Sequence, residues 1–330
     1  MAIRILSIDG GGIRGIIPAA ILTYIEDEAG KPCSELFDII AGTSTGGILG
    51  CGLCIPGDGG NPKYSAAEMV DLYADEGGKI FARSLWDGFR SLGSLADQKY
   101  GSGGIEEVLK NYFGDVELSE TLSHLLVTSY DIKNRKPFFF KNWRARGERN
   151  PSGESRFDRD FHLRDVARAT SAAPTYFEPA KVHSKSNKEY QLIDGGVFAN
   201  NPGVCAVSSA GRLFTDDEII ILSLGTGETI REIPYEKAKD WGLIEWARPL
   251  LYILFDGVSD AADYHLKQMY GRNHLRIQMR LTEINDDMDD ASDENIKMLR
   301  DLGGKLVDDN KNELQAMAQK LASSSPATKR

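Results

Sequence analysis

Short apolar runs that end in glycine-rich turns dominate the start of the chain. Residues 3–8 are mostly β-branched and apolar, and an aspartate and three glycines follow them, which predicts a buried strand. Apolar residues at helical spacing, with Pro18 in the first turn, predict a helix over 16–29. The pattern then repeats, with a strand over 37–41, a glycine-rich turn and a helix over 48–54. Two such units in succession predict an α/β fold with a mostly parallel sheet and helices on both of its faces.

The rest of the chain continues this patterning without an internal repeat or a shift in composition. We therefore expect a single domain over residues 1–322 and a disordered tail over 323–330. Residues 83–104 have no clean period and are rich in glycine and serine, which predicts a long surface segment. The other predicted elements are helices over 66–81, 105–112, 163–170 and 244–268 (broken near Pro249), a last helix from Asp293 that is interrupted at Gly303-Gly304, and strands over 125–130, 137–140, 191–193, 219–224 and 274–281.

The charge balance excludes some classes of partner. The 330 residues include 39 Lys and Arg and 49 Asp and Glu, so the net charge is −10. This balance argues against a nucleic-acid binder with a broad basic face and against constitutive electrostatic attachment to anionic lipid. No apolar run reaches the roughly 18 residues of a membrane span, and the N-terminal run is too short for a signal peptide. We expect a cytoplasmic protein that meets membranes only peripherally.

Four cysteines are too few and too widely spaced for a disulfide scaffold. Cys51 and Cys54 form a C-x-x-C pair, which fits two small apolar residues one helical turn apart or, alternatively, a redox or metal pair. No second C-x-x-C or histidine pair completes a zinc site. We therefore expect neither a metal nor a cofactor.

The first motif is a G-x-G-x-x-G over residues 10–15, between a predicted strand and a predicted helix. A dinucleotide site would need an acidic residue at the end of the second strand, but that strand ends in Ile40-Ala41-Gly42-Thr43. The dinucleotide interpretation is therefore disfavoured. A glycine-rich turn still leaves free backbone N–H groups at a helix N-terminus, and such a nest binds negative charge.

The second motif is the G-x-S-x-G from Gly42 to Gly46. It follows a predicted buried strand and precedes a predicted helix, which is the context that a nucleophile elbow requires. The glycines permit a sharp turn, and Ser44 would lie at the N-terminus of the helix. The helix dipole would then favour the serine alkoxide and the anion that forms after attack.

A nucleophilic serine needs a base, and the sequence leaves two kinds of base open. None of the five histidines follows a convincing parallel strand in a glycine-rich turn, although His274, after Gly271-Arg272-Asn273, comes closest. The alternative is a carboxylate. Asp194-Gly195-Gly196 follows a short strand-like run, which fits either an ordinary Asp-Gly turn or a base at a strand end.

Taken together and in order, these motifs resemble the patatin-like phospholipases. The chain carries Asp9-Gly-Gly-Gly-Ile-Arg14-Gly15, then Gly42-Thr-Ser44-Thr-Gly46, then Asp194-Gly-Gly196. Residues 171–177, 224–227 and 288–292 also look like stretches of this family, and the resemblance covers residues 3–306. It implies a three-layer α/β/α fold with a mostly parallel sheet and a lipid acyl hydrolase that works through a Ser-Asp dyad.

The resemblance also assigns roles residue by residue. It makes Ser44 the nucleophile and Asp194 its base, with no metal. Arg14 would orient the glycine loop, meet a phosphate or form a structural ion pair. The oxyanion hole would come from Gly10, Gly11, Gly12 and Thr45, and the supporting residues would be Arg14, Gly15, Gly42, Gly46, Gly195 and Gly196.

The implied substrates are acyl esters of membrane glycerolipids, so some surface must meet lipid. Two stretches with aromatic residues fit an interface or, alternatively, pack within the fold: 83–104 with Trp86 and Phe89, and 241–255 with Trp246. The negative charge suggests that membrane contact is transient and driven by apolar surface.

Other functions stay open on the same residues. An acyltransferase would pass the acyl group to an acceptor other than water, and a non-catalytic lipid-binding protein would keep only the fold. Some bacterial relatives look like antiphage effectors that a cyclic nucleotide activates, so a cyclic-nucleotide activator is a further expectation, as is a homo-oligomer.

Overall fold

The structure is a computed structural model that describes residues 1–80, 103–148, 153–216, 218–228, 232–281 and 287–329. One sheet contains all eight strands of these residues. The strands are β1 (Ile3–Ile8), β2 (Ile39–Thr43), β3 (His124–Asp131), β4 (Lys136–Lys141), β5 (Ala180–His183), β6 (Glu189–Asp194), β7 (Ile219–Leu224) and β8 (His274–Ile277).

Helices of very different lengths connect the strands. The long helices pack against the sheet or against one another, and the helices of four residues lie within the connections between longer elements. They are α1 (Ile16–Ala29), α2 (Cys33–Leu36), α3 (Thr45–Cys54), α4 (Ala66–Ile80), α5 (Gly103–Phe113), α6 (Asn142–Ala145), α7 (Leu163–Thr170), α8 (Gly196–Ala199), α9 (Gly203–Leu213), α10 (Tyr235–Ala238), α11 (Leu243–Tyr270), α12 (Asp293–Asp309) and α13 (Lys311–Ser323).

The sheet has the order β5-β6-β3-β2-β1-β7-β8, and β4 also pairs with β3. Strands β3, β2, β1, β7 and β8 are parallel, whereas β4, β5 and β6 join through antiparallel pairs. The carboxyl ends of the parallel strands therefore meet at one edge of the sheet. Loops at this edge are where ligands bind in open α/β sheets.

Two apolar layers cover the sheet, one on each face. Leu6 and Ile8 of β1 belong to a core that includes the buried residues of α1, α3, α12 and α13. Ile3 and Ile5, which alternate with them, pack with the buried residues of α9 and with Leu266 of α11. Because side chains alternate along a strand, the unbroken apolar run of β1 fills both layers. The expected α/β fold with a central sheet between helices is confirmed.

Several predicted elements have the observed bounds, because their patterns are unambiguous. The bounds of β1, α1, α7 and β7 match the predicted ranges. Helix α1 ends at Gly30, whose φ of 63° is the left-handed conformation that glycine adopts easily. Strand β2 lies two residues later than predicted, and α3 begins at Thr45, directly after the elbow, instead of at residue 48.

The predicted helix breaks are both wrong. Helix α11 runs through Pro249 without interruption. Proline removes one helical hydrogen bond, but the helix continues, and Leu251 and Phe255 just after it are buried in an apolar cluster. Helix α12 runs through Gly303, where a Cβ would lie 2.8 Å from the Cβ of Ala20 on α1. This glycine therefore permits close helix packing and does not end the helix.

Three further parts of the chain complete the comparison with the sequence. The sequence predicts neither β5 nor α9, whose small residues Ala206 and Ala210 give a weak helical signal although they are buried. The predicted surface segment 83–104 lies almost entirely outside the described residues. The sequence predicts a disordered tail over 323–330, but residues near the C-terminus contact the rest of the protein. The Thr215 N–H donates to the Thr328 carbonyl oxygen, and Ala327 is buried.

Candidate active site

Ser44 is the single residue between β2, which ends at Thr43, and α3, which begins at Thr45. Its φ is 54° and its ψ is −124°. For a residue with a side chain, such a conformation costs on the order of 1–3 kcal/mol and is typical of functional turns. The Ser44 N–H donates to the Thr170 hydroxyl oxygen at 2.8 Å, which helps to hold the turn. This geometry is that of a nucleophile elbow.

Two glycines of the G-x-S-x-G motif allow the elbow to close. A Cβ on Gly42 would lie 2.1 Å from the carbonyl oxygen of Gly46. A Cβ on Gly46 would lie 2.3 Å from the carbonyl oxygen of Ile8. In both cases the obstacle is backbone, so a side chain on Gly42 would force β2 and α3 apart, and a side chain on Gly46 would force β1 and α3 apart. Gly15 and Gly195 are also closely packed, because a Cβ would lie 2.3 Å from the Thr45 hydroxyl and 2.1 Å from the Thr128 hydroxyl, respectively.

Strand β3 brings Asp194 to the elbow. Thr43 pairs with Thr128 on β3, and Asp194 pairs with the next residue, Ser129. The hydroxyl oxygens of Thr43 and Thr128 lie 2.7 Å apart, which fixes the end of β2 against β3. The strand register therefore places Asp194 and Ser44 side by side, although 149 residues separate them in the sequence.

The Asp194 carboxyl group is fully buried and has few partners. Its Oδ1 accepts a hydrogen bond from the Gly196 N–H at 2.7 Å, while Oδ2 has no partner of good geometry within the described residues. Burial raises the pKa of Asp194 to about 7, and the looser contact with the Ser44 hydroxyl and the bond from Gly196 offset this rise only in part. A carboxyl group with a pKa near neutrality beside a serine hydroxyl can accept and return a proton.

The glycine loop after β1 lies against Ser44. A Cβ on Gly10 would be 3.0 Å from the Ser44 Cβ. The N–H groups of Gly11, Gly12 and Thr45 donate no hydrogen bond to any described residue. Thr45 also begins α3, so its N–H lies at the positive end of the helix dipole. Backbone donors are therefore available next to the elbow.

Gly10 differs from the role that the resemblance implies. Its N–H donates to the Asn200 carbonyl oxygen at 3.2 Å, so it is not a free donor for an oxyanion. Its contribution is the absence of a side chain, because a Cβ there would lie 2.4 Å from Asn200 Oδ1. Of the four residues expected at the oxyanion hole, Gly11, Gly12 and Thr45 therefore keep an N–H group without a partner among the described residues, whereas Gly10 does not.

Arg14 supports the glycine loop from below. The side chain is buried, and its Nε donates to the carbonyl oxygen of Gly11 at 3.2 Å. The Ile13 N–H donates to the carbonyl oxygen of Met288, and Gly12 has a φ of 61°. Of the three roles that the sequence leaves open for Arg14, these contacts fit the orientation of the loop.

A buried polar network that the sequence does not predict lies next to the glycine loop. Asp9 forms an ion pair with Arg276 and accepts a hydrogen bond from the Ser259 hydroxyl at 3.2 Å. Ser259 in turn accepts from Asn200 Nδ2 at 3.1 Å. Burial raises the pKa of Asp9, although Arg276 opposes this effect. A charged residue directly after an apolar strand was the only sequence signal for this network.

Apolar side chains cover the site on the side of α11. Leu251, Phe255 and Met288 form a small buried cluster, with Tyr176, Val197 and Tyr252 at its border. A Cβ on Gly196 would lie 2.8 Å from the Phe255 ring, so this helix packs directly on the loop that follows Asp194. The stretch 241–255 therefore contributes to the wall of the site.

The histidines lie elsewhere. His274 is the first residue of β8 and pairs with Ile221, and His124 is the first residue of β3 and pairs with Ile39. Both are at the amino ends of parallel strands, the opposite edge of the sheet from Ser44. His162, His183 and His265 precede α7, end β5 and lie within α11, respectively. The geometry therefore favours the carboxylate base over a histidine.

Cys51 and Cys54 are both buried within α3, and neither forms a disulfide. Burial raises the pKa of the Cys54 thiol to about 12 and that of Cys51 well above its ordinary value. Redox and metal chemistry need the thiolate, so the pair fits the apolar interpretation. No helix of the described residues is long and apolar enough to cross a bilayer.

Comparison with known proteins identifies the family of this chain. The family described as "Patatin-like phospholipase" matches residues 6–203. Patatin-like protein 4 of Arabidopsis thaliana is 33% identical over 93% of this chain and 84% of its own length. A potato (Solanum tuberosum) relative named "Probable inactive patatin-3-Kuras 1" is 31% identical over 92% of this chain and 86% of its own length. The solved structure of VipD from Legionella pneumophila aligns with 93% of this chain and 67% of its own, at 12% identity and a TM-score of 0.40. The chain belongs to the patatin-like phospholipase family.

Proposed function

We propose that this protein is a lipid acyl hydrolase in which Ser44 is the nucleophile and Asp194 is the general base. Membership in the family supports hydrolysis of lipid esters. The observation that supports the assignment of Ser44 and Asp194 is that the Asp194 carboxyl is buried beside Ser44. Burial raises the pKa of Asp194 to about 7. A base with such a pKa is half ionised at neutral pH and can both take and return a proton.

The first half of the reaction forms an acyl-enzyme. The Ser44 hydroxyl attacks the carbonyl carbon of the ester while its proton moves to Asp194. The oxyanion accepts hydrogen bonds from the free N–H groups of Gly11, Gly12 and Thr45. The loss of one such donor typically lowers the rate by ~10²–10³-fold. The alcohol leaves with the proton from Asp194.

The second half returns the enzyme to its starting state. Water attacks the acyl carbon, gives one proton to Asp194, and the fatty acid leaves as the proton returns to the Ser44 oxygen. In both halves backbone N–H groups stabilise the oxyanion, and the N–H of Thr45 lies at the start of α3, where the helix dipole also favours negative charge. We therefore expect activity in the presence of a metal chelator.

We propose that the outer side of α11 provides transient contact with a membrane. Leu243, Leu250, Ile253 and Leu254 are exposed on the first half of this helix. On the same half of α11, the buried residues Leu251 and Phe255 cover the candidate active site. The same helix would therefore contact the membrane and border the path by which a lipid enters the site. Apolar residues on one side of a helix suit the interface of a bilayer. A chain with a net charge of −10 would depend on such apolar contact and not on attraction to anionic lipid.

Cytoplasmic location, activation by a cyclic nucleotide and formation of a homo-oligomer remain proposals that stem from the sequence alone. The last two enter the experiment below as conditions. If the wild type releases no fatty acid, the assay is repeated with a panel of cyclic nucleotides and across a range of protein concentrations.

The test is release of fatty acid from vesicles of mixed phospholipids with chelator present. We expect release by the wild type and none by Ser44→Ala or Asp194→Asn, each of which should stay folded by circular dichroism. An acyltransferase would give transacylated lipid in place of free fatty acid. A folded wild type that releases no product under any of these conditions would instead support a non-catalytic lipid-binding protein, in line with the name of the potato relative.

A further inference from the structure

Two adjacent buried asparagines differ in how well their side chains are satisfied. Asn201 uses both ends of its amide, since Oδ1 accepts from Ser7 Oγ and from the Gly203 N–H at 3.0 Å each, and Nδ2 donates to Ser223 Oγ at 3.2 Å. Asn200 is only 6% exposed, yet its Oδ1 has no partner within the described residues. Buried polar atoms are nearly always hydrogen-bonded, so this oxygen calls for an explanation.

The orientation of the Asn200 amide is fixed by the network behind it. The Ser259 hydroxyl donates its only hydrogen to Asp9 Oδ2, at 3.2 Å. Its oxygen can then only accept, and it accepts from Asn200 Nδ2 at 3.1 Å. The NH₂ group must therefore face Ser259, and Oδ1 must point to the other side.

That other side is the candidate active site. Asn200 Oδ1 lies 2.4 Å from where a Cβ on Gly10 would be, and the Ser44 Cβ lies 3.0 Å from the same point. The oxygen is also 3.1 Å from the corresponding point on Gly196, whose N–H holds Asp194. Asp194 Oδ2 is a second buried acceptor without a partner of good geometry. Two acceptors beside one serine suit a small donor with two hydrogens, and water is such a donor.

We propose that Asn200 Oδ1 accepts a hydrogen bond from the water that hydrolyses the acyl-enzyme and so positions this water for attack. The inference rests on the proposed function and names a residue for its second half. The water oxygen forms the new bond to the acyl carbon while one of its protons moves to Asp194. Its other hydrogen stays bonded to Asn200 Oδ1. The bond from the acyl carbon to Ser44 Oγ then breaks, and the proton on Asp194 moves to that oxygen.

The test separates acylation from deacylation with a chromogenic p-nitrophenyl ester in stopped flow, and with the intact mass of the quenched protein. We expect Asn200→Ala to acylate within a few-fold of the wild-type rate and to deacylate about 100-fold more slowly. The variant should then accumulate protein with the mass of one acyl group. Hydroxylamine, which attacks the acyl-enzyme in place of water, should restore turnover.

Asn201→Ala is the matched control, because the same residue type is removed one position away. We expect it to lower stability without accumulation of acyl-enzyme. Asn200→Asp keeps an oxygen at the position and replaces the alanine variant in this test if the alanine variant does not fold. We expect its deacylation rate to be closer to the wild-type rate than that of Asn200→Ala. Equal losses in acylation and deacylation for Asn200→Ala, or acyl-enzyme in Asn200→Asp at the level expected for alanine, would overturn this inference while the proposed function stands. A wild type that neither turns over nor acylates would overturn both.

Discussion

Asp9 and Arg276 meet in a two-point ion pair beneath the glycine loop, with Oδ2 to Nη2 at 2.6 Å and Oδ1 to Nη1 at 3.0 Å. Asp9 is 2% exposed, and the Arg276 side chain is 14% exposed. Arg276 lies on β8, and Asp9 follows β1, so the pair ties the loop to the far side of β7. The loop that presents the free N–H groups is thereby attached to the sheet through β8.

The first prediction concerns this ion pair. Arg276→Met leaves the Asp9 carboxyl buried without its partner, which typically costs about 3–5 kcal/mol in the free energy of unfolding. Asp9→Asn in the same chain removes the orphaned charge, so the double variant should recover part of this loss. Urea denaturation of both single variants and the double variant measures the coupling. A change below about 1 kcal/mol in Arg276→Met would show that the pair does not hold the loop.

The second prediction concerns the pH dependence of Asp194. Its pKa in the folded protein is about 7, against an ordinary value of 3.8. Below the ordinary value the group is protonated in both states and has no effect. As pH rises towards 7 the unfolded chain ionises first, so the group increasingly destabilises the fold, by about 1.4 kcal/mol per unit of pKa difference.

Asp194→Asn should therefore be more stable than the wild type, by an amount that grows as pH rises from about 4 to 7 and is constant above 7. Activity of the wild type should rise over the upper part of the same range, since the base must be ionised. Thermal or urea unfolding at a series of pH values gives the first curve, and kcat/KM gives the second. A stability difference that does not change with pH would contradict the raised pKa.

The third prediction concerns strain at the elbow. Ser44 has a φ of 54°. Glycine adopts such a φ without strain, whereas a residue with a side chain adopts it only at a cost in free energy. Ser44→Gly and Ser44→Ala both remove the proposed nucleophile, but only glycine relieves the strain. We expect Ser44→Gly to be more stable than Ser44→Ala by about 1 kcal/mol in denaturant unfolding. Equal stabilities would mean that the turn is not strained.

The fourth prediction concerns His274, the histidine whose sequence context comes closest to that of a base. His274 begins β8, and its Nε2 lies 3.7 Å from Oδ1 of Asp263 on α11. Burial lowers the pKa of His274. We expect His274→Gln to retain most of the activity of the wild type once the folded fraction is matched. A folded His274→Gln as inactive as Ser44→Ala would replace the Ser-Asp dyad with a histidine-based site.

Local patterns predicted the parts of this molecule that depend on neighbours in sequence. The apolar run of β1 and the close approach of Gly42 to Gly46 are each contained within a few residues. Gly303 shows the limit, because its closeness to Ala20 depends on how α1 and α12 pack. Glycine at such a contact cannot be told from glycine at a helix break without the partner helix.

The site shows the same division. The motifs indicated Ser44 and Asp194, but only the pairing of both strand ends with β3 places them together. Arg276 and Ser259 carry no motif and reach Asp9 from more than 200 positions away in the sequence. The unsatisfied oxygen of Asn200 is likewise a property of the assembled network, so a single sequence gives no sign of it.

The measurement that tests the account most directly is the site of covalent labelling by a fluorophosphonate, mapped by mass spectrometry with chelator present. The account predicts one adduct, on the peptide that contains Ser44, at a rate that rises with pH towards 7 and is largely lost in Asp194→Asn. An adduct on another residue, or labelling of Ser44 at an undiminished rate in a folded Asp194→Asn, would contradict it.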